Sequence, residues 1–307
     1  MRVAVHLWAR SPDRHPAVVQ ANGLRMEYDT FGDPSHPALL LVMGLAGQMV
    51  AWDEEFCARL AGCGFHVIRF DNRDMGRSTW MDGAPVPSLL RVLRAARRGE
   101  HIEVPYRVPD LANDTLALLD ALGVESAHLV GISMGGMIAQ TMAMQAPHRV
   151  RTLTSIMSHT GEPDLPHPHR RATASLLVPA PRNREMAMRR AVSAWRILTG
   201  PAIPLARADA GDGGAGVRPR PQPAGVLRQL AGIIASPSRA PGLRTLRVPT
   251  LVIHGEHDPL VPLEGGHRTA ALVPGAELAI IPRMGHALPP PLWERLIELI
   301  ARHASRG

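Results

Sequence analysis

The tightest constraint on the fold of this chain is Gly131-Ile132-Ser133-Met134-Gly135, a G-x-S-x-G pattern set between two different periodicities. Ahead of it, Ser126-Ala127-His128-Leu129-Val130 is a short apolar run of strand type. Behind it, the segment from Gly136 to Met144 reads as a helix, stopped by Pro147. Strand, sharp turn, helix is the context in which this pattern becomes a nucleophile elbow and lifts a serine hydroxyl clear of a sheet. The turn forces unusual backbone angles and brings strand and helix close, so side chains at Gly131 and Gly135 would clash.

A serine hydroxyl is a weak nucleophile until a base takes its proton. Both partners it needs stand downstream. Thr250 to Gly255 is a strong apolar strand followed by Glu256-His257-Asp258-Pro259, and Ala276 to Pro282 is another, followed by Arg283-Met284-Gly285-His286. Ser133, Asp258 and His286 each sit just past a strand, on the sheet edge where open α/β sheets place their sites. His257 and Glu256 are the rival histidine and carboxylate; His257 adjoins the acid and comes too early in the order.

The same alternation runs along most of the chain and predicts a mostly parallel sheet covered on both faces. An antiparallel hairpin over 17–31, turning near Asn22-Gly23, opens it. Strands follow near 38–43, 66–70, 126–132, 152–157, 250–255 and 276–281, with helices near 51–62, 110–122, 134–146, 263–272 and 290–303. Leu292, Leu296, Leu299 and Ile300 form a core-facing stripe on the last helix. Residues 161–245 break the alternation. They are rich in Pro and Arg, with helical patches at 185–199 and 224–235.

Three segments in order carry a family likeness: Leu41-Val42-Met43-Gly44-Leu45-Ala46-Gly47-Gln48, then Phe70-Asp71-Asn72-Arg73-Asp74-Met75-Gly76-Arg77-Ser78, then the elbow. Together they make the chain resemble the α/β-hydrolases over nearly its whole length. It is most similar to bacterial esterases and lipases and to the aclacinomycin methylesterases. The resemblance implies an α/β-hydrolase core over 1–160 and 246–307, with 161–245 as a cap over the active site. It implies Ser133 as nucleophile, His286 as general base and Asp258 as the acid that orients it, since Gly-x-x-Asp after the strand matches at Asp258 rather than Glu256. The backbone N–H groups of Met134 and Leu45 are the implied oxyanion donors. Many relatives begin that second loop with His-Gly; this chain has Met43-Gly44, which changes the pocket wall and leaves the donor. Asp71, Arg73 and Asp74 are expected to pair and fix the loop beneath the site.

Gln48 and Trp52 lie near the same mouth, with helix packing as the competing reading of each. Met43, beside Met134 and Met137, suggests an adaptable apolar pocket, and Trp195 in the insertion is expected to line it. The implied activity is a serine carboxylic-ester hydrolase acting on short-to-medium acyl esters of small molecules, with no metal or organic cofactor. A methylesterase of a polyketide-type product, a thioesterase and a cofactor-free perhydrolase are alternatives with the same triad. A ligand-binding receptor on a hydrolase fold is the alternative from another class.

Composition restricts the partners. The net charge is +7, yet all 34 basic residues are arginine, a pattern of codon usage rather than of phosphate binding. With no zinc-finger spacing, recognition helix or basic tail, nucleic-acid binding is excluded. Cys57 and Cys63 are expected to be reduced and partly buried. The apolar stretch at the N-terminus is too short for a signal peptide and no run reaches membrane-span length, so a cytoplasmic location is expected. The basic amphipathic stretch 88–98 is a surface helix beside the cleft, with peripheral contact to anionic lipid as the sharper alternative. The sequence leaves the oligomeric state open.

Overall fold

The computed structural model describes residues 16–176, 184–199 and 223–307. The strands are β1 (Ala17–Ala21), β2 (Leu24–Phe31), β3 (Ala38–Val42), β4 (His66–Phe70), β5 (Ala127–Ile132), β6 (Val150–Ile156), β7 (Thr250–Gly255) and β8 (Glu277–Ile281). They form one sheet in the order β1-β2-β4-β3-β5-β6-β7-β8. Only the pairings of β2 with β1 and with β4 are antiparallel. The expected opening hairpin is present. Asn22 and Gly23 both have positive φ, the two-residue turn whose twist matches paired strands.

The helices are α1 (Glu54–Ala61), α2 (Leu89–Arg98), α3 (Val108–Ala121), α4 (Met134–Gln145), α5 (Arg170–Leu176), α6 (Arg184–Thr199), α7 (Pro223–Ala235), α8 (Ala240–Leu243), α9 (Leu263–Leu272) and α10 (Trp293–Ala304). Strand residues alternate between two cores. Leu40, Val42 and Leu129 pack with Leu118, Ile138 and Met142 of α3 and α4. Leu39, Leu41 and Val130 pack on the other face with Phe56 of α1 and with Leu296 and Ile300 of α10. The central strands are therefore apolar on both sides, as a covered parallel sheet requires. Leu296, Leu299 and Ile300 are buried as expected, whereas Leu292 lies in the turn before α10 and is half-buried.

Between β6 and β7 the described residues form α5 to α8 and no strand, an insertion into the alternating pattern. The sequence reading missed α5 and α8, both short. α2 packs against α7, with Val92 buried and Leu90 and Leu93 exposed among its arginines. Among the described residues, no helix is long and apolar enough to cross a membrane. Cys57 is buried and Cys63 is exposed, so only the first fits the expectation of partly buried thiols.

Candidate active site

Among the described residues, six other than glycine have positive φ, and all six follow the carboxyl ends of strands: Asn22, Ala46, Asp74, Ser133, Met157 and Arg283. Such backbone is costly and persists where the surroundings over-determine it, typically at sites of function. Ser133 has φ +53° and ψ −119°, between the last residue of β5 and the first of α4. The turn has no room for more atoms. A Cβ on Gly131 would strike the backbone of Gly135, and one on Gly135 would strike the Val42 carbonyl. Two hydrogen bonds hold the serine from β6 and its loop. The Ser133 N–H donates to the Ile156 carbonyl at 2.9 Å, and the Ser158 hydroxyl donates to the Ser133 carbonyl at 2.8 Å.

Asp258 and His286 meet across the loops after β7 and β8. His286 Nδ1 lies 2.7 Å from Asp258 Oδ2, and the Asp258 side chain is wholly buried. The other oxygen, Oδ1, accepts the N–H groups of Leu260 and Val261, each at 2.8 Å. A carboxylate only accepts, so the imidazole proton belongs on Nδ1 and Nε2 keeps its lone pair. Glu256 turns outward instead. It pairs with exposed His257 at 3.4 Å and accepts the Arg283 N–H at 3.1 Å. The His286 loop is backed by α6. The His286 N–H donates to the Leu198 carbonyl at 2.6 Å, and a Cβ on Gly285 would strike Leu198 and Thr199.

The loop after β3 faces the serine. A Cβ on Gly44 would lie 3.1 Å from Ser133 Cβ and 3.7 Å from its hydroxyl oxygen. The next residue is Leu45, half-buried against the core. Met134 opens α4, so its N–H has no acceptor inside the helix. Gln48 is half-buried at the start of the helical turn after this loop. Met43 and Trp52 are buried in the core under α1, with the Trp52 ring stacked on Phe56 at 5.8 Å. The side chain of Trp195 lies outside the described residues.

One expectation needs correction. Arg73 does not pair with Asp71 or Asp74. Its guanidinium makes two 2.6 Å contacts to Asp114 of α3, because both groups are buried and the fork matches the carboxylate. Asp74 instead takes Arg228 of α7, at 2.7 and 2.8 Å, and the Tyr106 hydroxyl at 2.6 Å. Asp71 accepts the Met49 N–H at 2.6 Å. Burial, and after it the neighbouring Glu27 carboxylate, push Asp71 up to about 6.

The sequence reading did not single out three groups that surround this site. His159, after β6, accepts the Gly161 N–H on Nδ1 at 2.9 Å. Burial first, then the charge of Arg239, hold it down to about 4, so it is neutral beside His286. His254, buried on β7, donates from Nε2 to the Val261 carbonyl at 2.9 Å and supports the Asp258 loop. Gln229, on α7, reaches the loop after β3. No short-range pattern marks any of them. A separate cavity of about 490 Å³ runs along β8 and α10, lined by Glu277, Ile280, Pro282, Leu292, Arg295 and Arg302. It contains none of Ser133, Asp258 and His286. Among the described residues, no group of three His, Cys, Asp or Glu is placed to hold a metal ion.

Residues 37–188 match the family model described as alpha/beta hydrolase fold. The chain is 34% identical over 300 residues to rhodomycin D methylesterase DauP of Streptomyces sp. (strain C5), covering 89% of this chain and 92% of that one. It is 33% identical over 301 residues to rhodomycin D methylesterase DnrP of Streptomyces peucetius, with the same coverage. Among solved structures, 2-hydroxy-6-oxo-6-phenylhexa-2,4-dienoate hydrolase from Rhodococcus sp. strain RHA1 superposes with a TM-score of 0.72 at 18% identity, over 96% of this chain and 99% of that one. That last likeness is one of fold.

Proposed function

The chain belongs to the α/β-hydrolase fold family, and from that membership we propose that it is a serine carboxylic-ester hydrolase working through an acyl-enzyme. One observation carries the reading: the 2.7 Å contact of His286 Nδ1 with buried Asp258 stands on the same sheet edge as a serine held at φ +53°. That contact leaves His286 Nε2 as the base. It takes the Ser133 proton as the hydroxyl oxygen attacks the ester carbonyl. The N–H groups of Leu45 and Met134 hold the oxyanion. His286 then protonates the leaving alcohol and activates the water that frees the acid. Asp258 keeps the tautomer and stabilises the imidazolium.

The insertion, 161–245, acts as a cap in this reading. Its contacts with the core include α6 against the His286 loop, and α7 against Asp74 and the loop after β3. This reading assigns Gln48 to the mouth of the pocket and sets Met43 and Trp52, both buried in the core, behind it. Trp195 on α6 is assigned to the substrate wall.

The likeness to two rhodomycin D methylesterases over nine-tenths of the chain favours one substrate class: methyl esters of a polyketide-type product. Simple short-to-medium acyl esters are the competing class. Intact-mass analysis after a fluorophosphonate tests the mechanism. Wild type should gain one adduct at Ser133, and Ser133→Ala should gain none and lose several orders of magnitude in kcat. Retention by Ser133→Ala of more than about a tenth of wild-type turnover, less than ~1.4 kcal/mol of lost transition-state stabilisation, refutes it. Methanol release from the methyl ester of a polyketide-type product, set against p-nitrophenyl esters of graded chain length, decides the substrate class.

A further inference from the structure

Helix α2 packs against α7 on one side and meets solvent on the other. Its inner side holds Val92, buried, with Leu89 and Ala95 half-buried. Leu90, Leu93, Arg94 and Arg97 stand at i, i+3, i+4 and i+7, which places them on one outer stripe. All four are exposed, Leu90 at 68% and Leu93 at 39%. Val86, in the segment leading into the helix, is exposed as well. Among the described residues, Val86, Leu90 and Leu93 are three of the five exposed large apolar side chains, so apolar surface is concentrated here. Arg91 and Arg98 flank the stripe, and no acid stands between Ser88 and Arg98. Among the described residues Arg91, Arg94 and Arg97 make no ion pair, and Arg98 meets exposed Glu100 at 3.5 Å.

An occupant of this face must be negative and apolar together. A second copy would set arginine against arginine, and like charges across an interface are costly. An acidic protein would find little area: ten helical residues make a strip about 15 Å long and about 10 Å wide. That is a fraction of the ~800 Å² per partner that a stable protein interface uses. A lipid surface offers phosphates and acyl chains in adjacent layers. Leucine tips can enter the acyl boundary while the guanidinium forks stay at the phosphates, their stems lying beside the leucines.

We propose that α2 is a docking surface for an anionic lipid bilayer. The helix is linked to the candidate site through α7, whose Gln229 accepts the Ala46 N–H in the loop that faces Ser133. The proposal stands on this surface alone and does not rest on the ester-hydrolase reading; a protein inactive on every ester would still bind.

Co-sedimentation with vesicles tests it, using equimolar phosphatidylglycerol and phosphatidylcholine against phosphatidylcholine alone, at low and high salt. Wild type should partition onto the anionic vesicles at least about tenfold more strongly than onto the neutral ones, and high salt should weaken that preference. Arg94→Gln/Arg97→Gln should weaken anionic binding about thirtyfold, ~2 kcal/mol for two arginines near a charged surface. Leu90→Ser/Leu93→Ser should weaken it about tenfold and keep its salt dependence. Arg59→Gln/Arg302→Gln removes the same charge from exposed positions on α1 and α10, and should stay within about threefold of wild type. Thermal melts show that each variant is folded; should one α2 pair fail to fold, the other decides. The proposal is overturned if wild type sediments with neither kind of vesicle, which leaves the face to a protein, or with both equally. It is overturned if either folded α2 pair binds anionic vesicles within about twofold of wild type. It is overturned too if the α1 and α10 pair loses as much as the arginine pair of α2, since binding would then belong to the net charge of +7 and not to this helix. A wild-type dimer in analytical ultracentrifugation that Leu90→Ser/Leu93→Ser dissociates would also overturn it, in favour of a second copy.

Discussion

Asp258 and Glu256 stand two residues apart and meet opposite surroundings. The Asp258 side chain has no exposure and three donors, while nearly half of the Glu256 side chain is exposed. An imidazole can be held in one tautomer only by a carboxylate whose own geometry is fixed, and Asp258 meets that condition. Asp258→Asn should therefore lower kcat by about 10³–10⁴ in a folded protein, by favouring the wrong tautomer. Glu256→Gln should stay within about twofold, since an exposed ion pair contributes little. Steady-state kinetics on both variants checks this, and greater damage from Glu256→Gln would reverse the assignment. These positions were legible because each part of the pattern is local: a strand, then a short loop, then the candidate residue. Gly285 and Gly44 were legible only as neighbours of such residues. The reason they are glycine, α6 behind one and the serine in front of the other, needs the fold.

Helix α7 holds what the sequence hides. Burial pushes the Asp74 carboxyl up, but hydrogen bonds from Arg228 and Tyr106 override it and leave it below the usual carboxylate range. Both partners of the ion pair are buried, with side-chain exposures of 3% and 0%. Removing one charge leaves the other without compensation. Arg228→Met should therefore cost about 3–5 kcal/mol of stability, and the further change Asp74→Asn should recover part of it. Urea melts of the two proteins test the pairing; a double variant no more stable than the single would mean the carboxylate is satisfied without Arg228. The same physics explains the failed expectation for Arg73. With 34 arginines and 27 acids in the chain, proximity in sequence selects almost nothing. The partners were chosen by α3 and α7 packing over the β4 loop. Periodicity reports which face of a helix is apolar, and so 224–235 was readable as a helix. It does not report which loop a single buried glutamine will meet.

Across the whole molecule, burial biases many groups toward neutrality, and the sign of the resulting pH dependence can be worked out. Burial lowers His66, His128, His159, His254 and His303, with His128 and His159 brought to about 4. In the unfolded chain each returns to about 6.5. Between pH 6.5 and 4 the unfolded state therefore binds protons that the native state refuses, and stability falls as pH falls. Asp71, raised to about 6, and Asp53, raised less, act in the opposite sense, because their native forms bind protons first. The two histidines brought to about 4 outweigh the one carboxylate raised to about 6, which leaves a net loss on acidification. The protein should thus lose stability as pH falls from 6.5 toward 4. His128 offers a clean check. It is buried on β5, with Nδ1 2.9 Å from the Thr152 hydroxyl and its ring edge-on to Phe65. His128→Asn keeps a polar atom near Thr152 but cannot ionise. It should lower the melting temperature at every pH through lost packing, yet flatten the dependence between pH 6.5 and 4 by about one proton, or ~1.4 kcal/mol per pH unit at most. Thermal melts of both proteins at closely spaced pH values measure that slope. Parallel curves would show that His128 takes up its proton in the native state, and that acid lability arises elsewhere in the fold.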